Sequence, residues 1–235
     1  MQRKRILVKL SGEVLASKEN LFNHEKIRLL AKQLWHLVDK KCEIAVVCGW
    51  WNIRRWRDSQ DFPVERVKSD YLGMMATVMN AVNLSETIIS EWYEGHVVTP
   101  AALHLSPLSV EYDIIKARKS MSKWRIICCG WWTWNPYFTT DSAAVLRALE
   151  LECDVVVKAT KVDGIYSDDP NSNPDAIRFD TITYEEALQK NIKVMDQSAI
   201  GMAKEEGMPL YVCHYETLST LFEESHIGTR VVPEV

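Results

Sequence analysis

Residues 125–159 read RIICCGWWTWNPYFTTDSAAVLRALELECDVVVKA. Arg125–Cys129 and Asp154–Ala159, at its two ends, are short and almost continuously apolar, as strands covered on both faces are. Residues 141–152 between them carry helical patterning and follow Thr139-Thr140-Asp141, a natural helix start. Strand, helix and strand in that order imply a βαβ unit, with parallel strands and a right-handed crossover.

The same alternation extends outward. Ile6–Leu10, Glu43–Cys48 and His96–Thr99 share the strand character. In 24–38, Ile27, Leu30, Ala31, Leu34, Leu37 and Val38 fall on one helical face, with Asn23 placed as an N-cap. In 70–90, Tyr71, Met74, Met75, Val78, Val82 and Ile89 keep a similar spacing. The segment KVDGIYSDDPNSNPD (161–175) reads as a turn or hairpin leading into a polar loop, with Asp163-Gly164 and Asp169-Pro170 as its punctuation. Helices are expected at 183–190, 196–206 and 217–224, and strands at Leu210–Cys213 and Thr229–Val232. No repeat or Pro/Gly-rich linker interrupts the order. The expectation is one α/β domain over 1–235 with a mainly parallel sheet and a second lobe beginning near residue 150.

Composition narrows the function classes. A chain of 235 residues, 47% hydrophobic and 26% charged, is an ordinary globular mixture. A net charge of −4 argues against a surface built to coat nucleic acid, while leaving room for a local basic pocket that takes a small anion. No run approaches the ~18 apolar residues of a membrane span, and MQRKRILVKLSGE lacks a signal-peptide pattern, so a cytoplasmic protein without a membrane partner is expected. Cys42, Cys48, Cys128, Cys129, Cys153 and Cys213 form no CxxC pair and read as buried free thiols. Nothing pairs the six His as metal ligands. Two counts are unusual. Glycine occurs only nine times where average usage gives roughly sixteen, and tryptophan also occurs nine times, six of them crowded into 50–56 and 131–134.

Ligands of open α/β sheets bind at the carboxyl ends of the strands, and four loops leave such ends with polar residues. Lys9-Leu10-Ser11-Gly12 suits a phosphate, with charge from Lys and close backbone N–H approach at Ser and Gly; an ordinary strand exit reads the same way. Gly49–Arg57 holds three Arg, which either clamp phosphates or form a solvated patch. Thr133–Asp141 ends at a helix N-terminus, an anion site or simply a capped end. Lys158–Tyr166 brings two cations to a turn, against a nucleotide or in a solvated hairpin.

Together these loops resemble the bacterial UMP kinases (uridylate kinases), a branch of the amino-acid kinase family. The likeness runs through Lys9–Glu13 (KLSGE), Arg55, Asp70 with Gly73–Asn80 (GMMATVMN), Asn135–Asp141 (NPYFTTD), Lys158–Gly164 (KATKVDG) and Lys193–Asp196 (KVMD), in family order over nearly the whole chain. It implies a three-layer αβα sandwich, with a UMP-binding lobe over about 1–150 and an ATP-binding lobe over about 151–235. It also implies phosphoryl transfer from ATP, with Mg²⁺, to UMP, giving UDP in pyrimidine nucleotide synthesis. A homohexamer activated by GTP and inhibited by UTP belongs to the same resemblance. By that likeness Lys9, Leu10, Ser11, Gly12, Trp51 and Arg55 meet ATP, with Thr160, Tyr166 and Asp169 on the adenine-nucleotide side. Trp50, Asp70 and Thr133, Trp134, Asn135, Pro136, Tyr137, Phe138, Thr139 and Thr140 meet UMP. Lys9 and Arg55 neutralise charge on the transferring group, and Asp196 orients the lysine cluster.

The departures fall on glycines. The family's GGGN reads Gly49-Trp50-Trp51-Asn52, the Gly after the Arg is Trp56, and GTGN reads Trp132-Thr133-Trp134-Asn135, with Trp131 in place of a small residue. Glycine admits backbone N–H groups to a phosphate and reaches φ > 0 freely; tryptophan does neither, at roughly 1–2 kcal/mol per left-handed position. Three readings follow. Either the indoles turn outward and a weakened or retuned kinase survives, or they fill the site and leave a nucleotide-binding or regulatory protein on the same scaffold, or the substitutions are not native, since one base separates a GGG glycine codon from that of tryptophan. A family kinase acting on a carboxylate or carbamate fits the TTD and KVMD blocks less well.

Overall fold

The computed structural model describes residues 4–53, 64–91, 95–99, 105–170, 172–190, 192, 194–223 and 227–233. Strand β1 (Lys4–Leu10) leads through a 3₁₀ turn at Gly12–Leu15 to helix α1 (His24–Asp39) and strand β2 (Cys42–Cys48). Helix α2 (Arg66–Ser90), strands β3 (Gly95–Thr99) and β4 (Val110–Glu111), helix α3 (Ile114–Met121) and strand β5 (Ile126–Cys129) follow. Helix α4 (Thr140–Glu150) then returns the chain to strand β6 (Val155–Thr160). The remainder is β7 (Ile165–Tyr166), β8 (Arg178–Phe179), β9 (Thr181–Thr183), α5 (Tyr184–Gln189), α6 (Gln197–Glu205), β10 (Leu210–His214), a 3₁₀ turn at Tyr215–Thr220 and β11 (Thr229–Val232).

Nine strands form one sheet in the order β4-β3-β5-β2-β1-β6-β10-β11-β9. Neighbours are parallel except β10 and β11, so the mainly parallel sheet expected from the apolar runs is present. The βαβ unit quoted at the outset spans β5, α4 and β6, and its crossover passes over β2 and β1. Helix α4 therefore packs across β1 and brings its N-terminus to the carboxyl end of that strand. The strand order runs outward from β1 to β2 in one direction and to β6 in the other. That boundary is a topological switch point, where such sheets open a crevice.

Two apolar layers sandwich the sheet. Leu7, Ala45, Val47 and Val156 point to the side of α3, α4 and α6. Ile6, Val8, Ile44, Val46, Val155 and Val157 point to the side of α1. Helix α2 serves both, with Met74 and Ala76 in one core and Ala81, Leu84 and Ile88 in the other. Helices on both faces of the sheet make the three-layer αβα architecture.

The helix starts carry the caps expected. The Asn23 side chain accepts from the Lys26 N–H at 3.0 Å, and Thr139 accepts from Asp141 N–H at 3.0 Å. Asp196 caps α6 through the Ala199 N–H, and Thr183 and Glu186 form a capping box at α5. All six Cys are buried and free; burial pushes the Cys48, Cys129 and Cys213 thiols up to about 12. Two expectations change. Where a helix was expected near 217–224, the described residues form a 3₁₀ turn over Tyr215–Thr220, and the 161–175 turn belongs to a wider hairpin that closes by pairing Ile165 with Phe179. Helix α3 went unread because only Ala117 and Met121 are buried among its charged residues.

Candidate active site

Side-chain parity in the sheet decides which residues reach the crevice. Lys9 shares its face with Leu7, and Lys158 shares its face with Val156, so both point toward α4. They are register partners across the β1–β6 pair. Asp141, in the first turn of α4, meets both: Lys9 Nζ lies 2.7 Å from Oδ1 and Lys158 Nζ lies 3.0 Å from Oδ2. Lys158 also donates to the Val194 carbonyl at 2.6 Å. Burial alone would raise the Asp141 carboxyl, but the charges of Lys9 and Lys158 outweigh it and hold the pKa at about 2. Burial lowers the Lys158 pKa, and the carboxylate only partly offsets that. Lys9, Lys158 and Asp141 together carry one net positive charge, with the Asp196 carboxylate on the same recess, at a helix N-terminus that adds its own partial positive charge.

Asp196 lines the same recess as Lys9, and its charge acts to raise the Lys158 pKa. It accepts from the hydroxyls of Thr139, Ser142 and Ser198 and from the Ala199 N–H. Burial would raise its pKa, and these hydrogen bonds together lower it. The carboxylate that joins the lysines is Asp141; Asp196 instead ties the start of α4 to the start of α6.

Asp70, near the start of α2, accepts from Arg66 Nε at 2.8 Å and from the Tyr137 N–H at 2.8 Å. It fastens the 131–139 loop to α2. The Arg66 guanidinium lies 5.5 Å from the Tyr137 ring, a cation–π contact. A recess of about 180 Å³ is lined by Lys9, Trp50, Trp51, Arg66, Asp70, Phe138, Thr139, Thr140, Asp141 and Asp196. A second, of about 400 Å³, takes in Lys158, Thr160, Gly164, Tyr166, Asp169 and Pro170. The Lys9–Asp141–Lys158 bridge links the two.

The loops after β1 and β2 pack backbone against backbone. A Cβ on Gly12 would stand 2.7 Å from the Trp51 nitrogen, so only glycine fits there. Asn52 and Asn80 exchange side-chain hydrogen bonds of 2.9 and 2.8 Å, and Asn80 also donates to the Gly49 carbonyl. Ser11 N–H donates to the Ala159 carbonyl, joining the β1 and β6 exits, and Leu10 is fully buried in the core. In the other loop, Thr133 and Asn135 bond each other rather than the recess, and Tyr137 is exposed. Pro136 is half-buried in that turn, and Trp134 lies over Arg147 at 4.9 Å. Trp50 and Trp132 are buried with centroids 6.2 Å apart, while Trp51 stacks on Trp50 at 5.0 Å. Arg55, with Arg54, Trp56 and Arg57, lies outside the described residues.

The sequence pattern of the amino acid kinase family matches residues 4–214. The chain belongs to that family. Among family relatives, the uridylate kinase of Sulfurovum sp. (strain NBC37-1) is 42% identical over 226 residues, covering 95% of this chain and 93% of the relative. The uridylate kinase of Wolinella succinogenes is 41% identical, covering 91% and 88%. The fold is similar to the crystal structure of UMP kinase from Bacillus anthracis, with a TM-score of 0.92 and 28% identity over 99% and 97% of the two chains. UMP kinase from Ureaplasma parvum superposes with a TM-score of 0.89 and 30% identity, over 99% and 100%.

Three participants at this end of the sheet were not legible as such in the sequence. Asp141 read as a helix start and the end of the NPYFTTD motif but was given no role, because its role depends on the register that pairs Lys9 with Lys158. Arg66 lies before the expected start of α2, and its i,i+4 spacing to Asp70 was the available signal. The Asn52–Asn80 exchange joins residues 28 positions apart and leaves no local trace.

Proposed function

We propose that this chain transfers the γ-phosphoryl group of ATP to UMP, yielding UDP and ADP for pyrimidine nucleotide synthesis. The observation that carries this is the Lys9–Asp141–Lys158 bridge, a buried, net positive group that links two recesses at the switch point of a parallel sheet. The uridylate kinase relatives named above support the choice of nucleotides.

In this reading UMP occupies the recess of Asp70, Phe138, Thr139 and Thr140, with Trp50 at its wall, and the 133–137 turn held behind it. ATP enters by Thr160, Tyr166 and Asp169, its phosphates reaching Lys9, Ser11 and Gly12 beside Trp51. Phosphoryl transfer proceeds through a loose transition state and depends on positioning and charge neutralisation. The UMP phosphate is already an anionic nucleophile, so the carboxylates need abstract no proton. Lys9 and Lys158 neutralise the transferring group. Asp141 holds both ammonium groups at one point, and Asp196 is a positioning residue that fixes Thr139 and Ser142. Arg55 contributes a further charge on the strength of the family motif.

The site carboxylates are already engaged, Asp141 by lysines, Asp196 by hydroxyls and Asp70 by Arg66. Among the described residues no group of three His, Cys, Asp or Glu is placed to hold a metal ion. That donor set fits a divalent cation, Mg²⁺ by preference, carried in on the phosphates of ATP and not caged by protein. When bound, the ion neutralises phosphate charge; orientation is left to the lysines and the α4 N-terminus.

A cytoplasmic homohexamer responding to GTP and UTP is part of the same reading. Among the described residues no helix is long and apolar enough to cross a membrane. The exposed face of α2, with Tyr71, Met75 and Met79 beside a cavity of about 660 Å³, supports an interface between subunits. The second reading, nucleotide binding without turnover, is favoured by the two indoles lining the recess. Offering ATP with UMP, CMP, dUMP, acetylglutamate or aspartate separates them. UDP with matching ADP is expected from UMP; ADP formed with acetylglutamate alone, or ATP bound and never consumed, would contradict the proposal.

A further inference from the structure

Six non-glycine residues among those described have φ in the left-handed region: Lys41, Trp124, Trp131, Trp134, Tyr137 and Glu152. Three are tryptophan, although tryptophan is only nine of 235 residues. A bulky side chain suits that region poorly, since its Cβ crowds the following carbonyl, and glycine is the usual occupant.

The three positions also have the surroundings of glycines. Trp124, at φ +65°, follows the last turn of α3, and its N–H returns to the Met121 carbonyl at 2.8 Å. That is the left-handed position after a helix that glycine commonly takes. Trp131 and Trp134, at φ +61° and +69°, begin and end one tight turn, in which the Trp134 N–H meets the Trp131 carbonyl at 3.3 Å. The indoles of Trp132 and Trp50 press on α2 where it has Gly73: a Cβ there would come within 2.7 Å of Trp132 Cη2 and 3.2 Å of Trp50 Cδ2. Trp51 sits where the backbone of Gly12 closes to less than a side chain's width. Trp124 lies on the far side of β5 from the crevice loops and in none of the motifs quoted above, so the coincidence is not confined to the site.

We infer that positions 124, 131 and 134 are glycine positions by their backbone, that 50, 51 and 132 join them by the motif departures described above, and that the protein in its working form carries glycine at all six. Glycine at all six would turn the nine glycines and nine tryptophans into fifteen and three, close to the roughly sixteen glycines of average usage. At 50, 51, 132 and 134 the consequence rests on the kinase reading: without indoles, backbone N–H groups of both loops face the crevice and can meet phosphate oxygens. The left-handed backbone at 124 is independent of that reading.

The test reads the protein as its own cells make it. Cleavage after lysine leaves one peptide, Trp124–Lys158, that spans four of the six positions. Its measured mass is expected to be lower than the written sequence gives by four tryptophan-to-glycine differences. A mass equal to the written sequence overturns the inference. A second measurement uses the recombinant chain, comparing Trp124→Gly with Trp124→Ala in denaturant. A left-handed site favours glycine by roughly 5- to 30-fold in the folding equilibrium; equal stability overturns the backbone argument. Neither readout depends on UDP formation, so failure here and failure of the kinase reading are separable.

Discussion

Lys9 and Lys158 stand side by side on neighbouring parallel strands, and their ammonium groups grip the two oxygens of one carboxylate, Asp141. The arrangement follows from three local facts: the register of β1 with β6, the common parity of the two lysines, and the crossing of α4 over β1. The three groups together keep one positive charge in excess in a buried setting, with the Asp196 carboxylate on the same recess.

Replacing Lys9 by Met tests that surplus. The methionine keeps the packing of the stem and removes only the charge. With ATP and UMP as substrates, kcat is expected to fall about 10²- to 10³-fold, the scale for one lost charge-stabilising donor. Far-ultraviolet circular dichroism should show an intact fold; a fall below fivefold would place the lysine outside the reaction.

Asp141 ties stability to pH. Its folded pKa of about 2 lies below the ordinary 3.8, so its contribution is present above pH 4 and is lost as pH falls toward 2. The gap corresponds to about 2 kcal/mol. Asp141→Asn should remove that acid-limb dependence. At neutral pH it should cost on the order of 3–5 kcal/mol, because two buried lysines lose their shared partner. Urea unfolding at pH 7 and pH 3 checks both.

Asp70→Asn separates binding from chemistry. The wild-type carboxylate accepts from the Tyr137 N–H and the Arg66 guanidinium, and so sets the UMP loop against α2. Weakening charge-assisted bonds of roughly 1.5–3 kcal/mol should raise KM for UMP about 10- to 100-fold while leaving KM for ATP near its original value. Equal changes in the two would mean that Asp70 serves the whole crevice.

Asn80→Ala probes the loop scaffold. It strands the Asn52 side chain and the Gly49 carbonyl in a buried setting and should destabilise the protein by about 1–3 kcal/mol. Thermal unfolding measures it.

The sheet was readable because β1, β2 and β6 are apolar on both faces, and few other structures bury such runs. Asn23 and Thr139 announced their helices because a capping side chain acts within three residues of itself. What stayed hidden depends on distance along the chain. Asp141 meets Lys9 across 132 positions, and no local pattern records a register. Two-residue strands such as β4 and β8 carry too few side chains to show a period. The left-handed backbone at Trp124 was also invisible, since the glycine that would have marked a helix end is not the residue written there.

Lys9 and Lys158 neutralise the phosphoryl group as it passes from ATP to UMP. The most direct measurement follows radiolabelled γ-phosphate from ATP into UMP, using protein purified from its own cells and its Lys9→Met variant. Label is expected in the β-phosphate of UDP, with the rate in the variant lower by at least two orders of magnitude. No label in UDP from the wild-type protein, or equal rates from both, would contradict it.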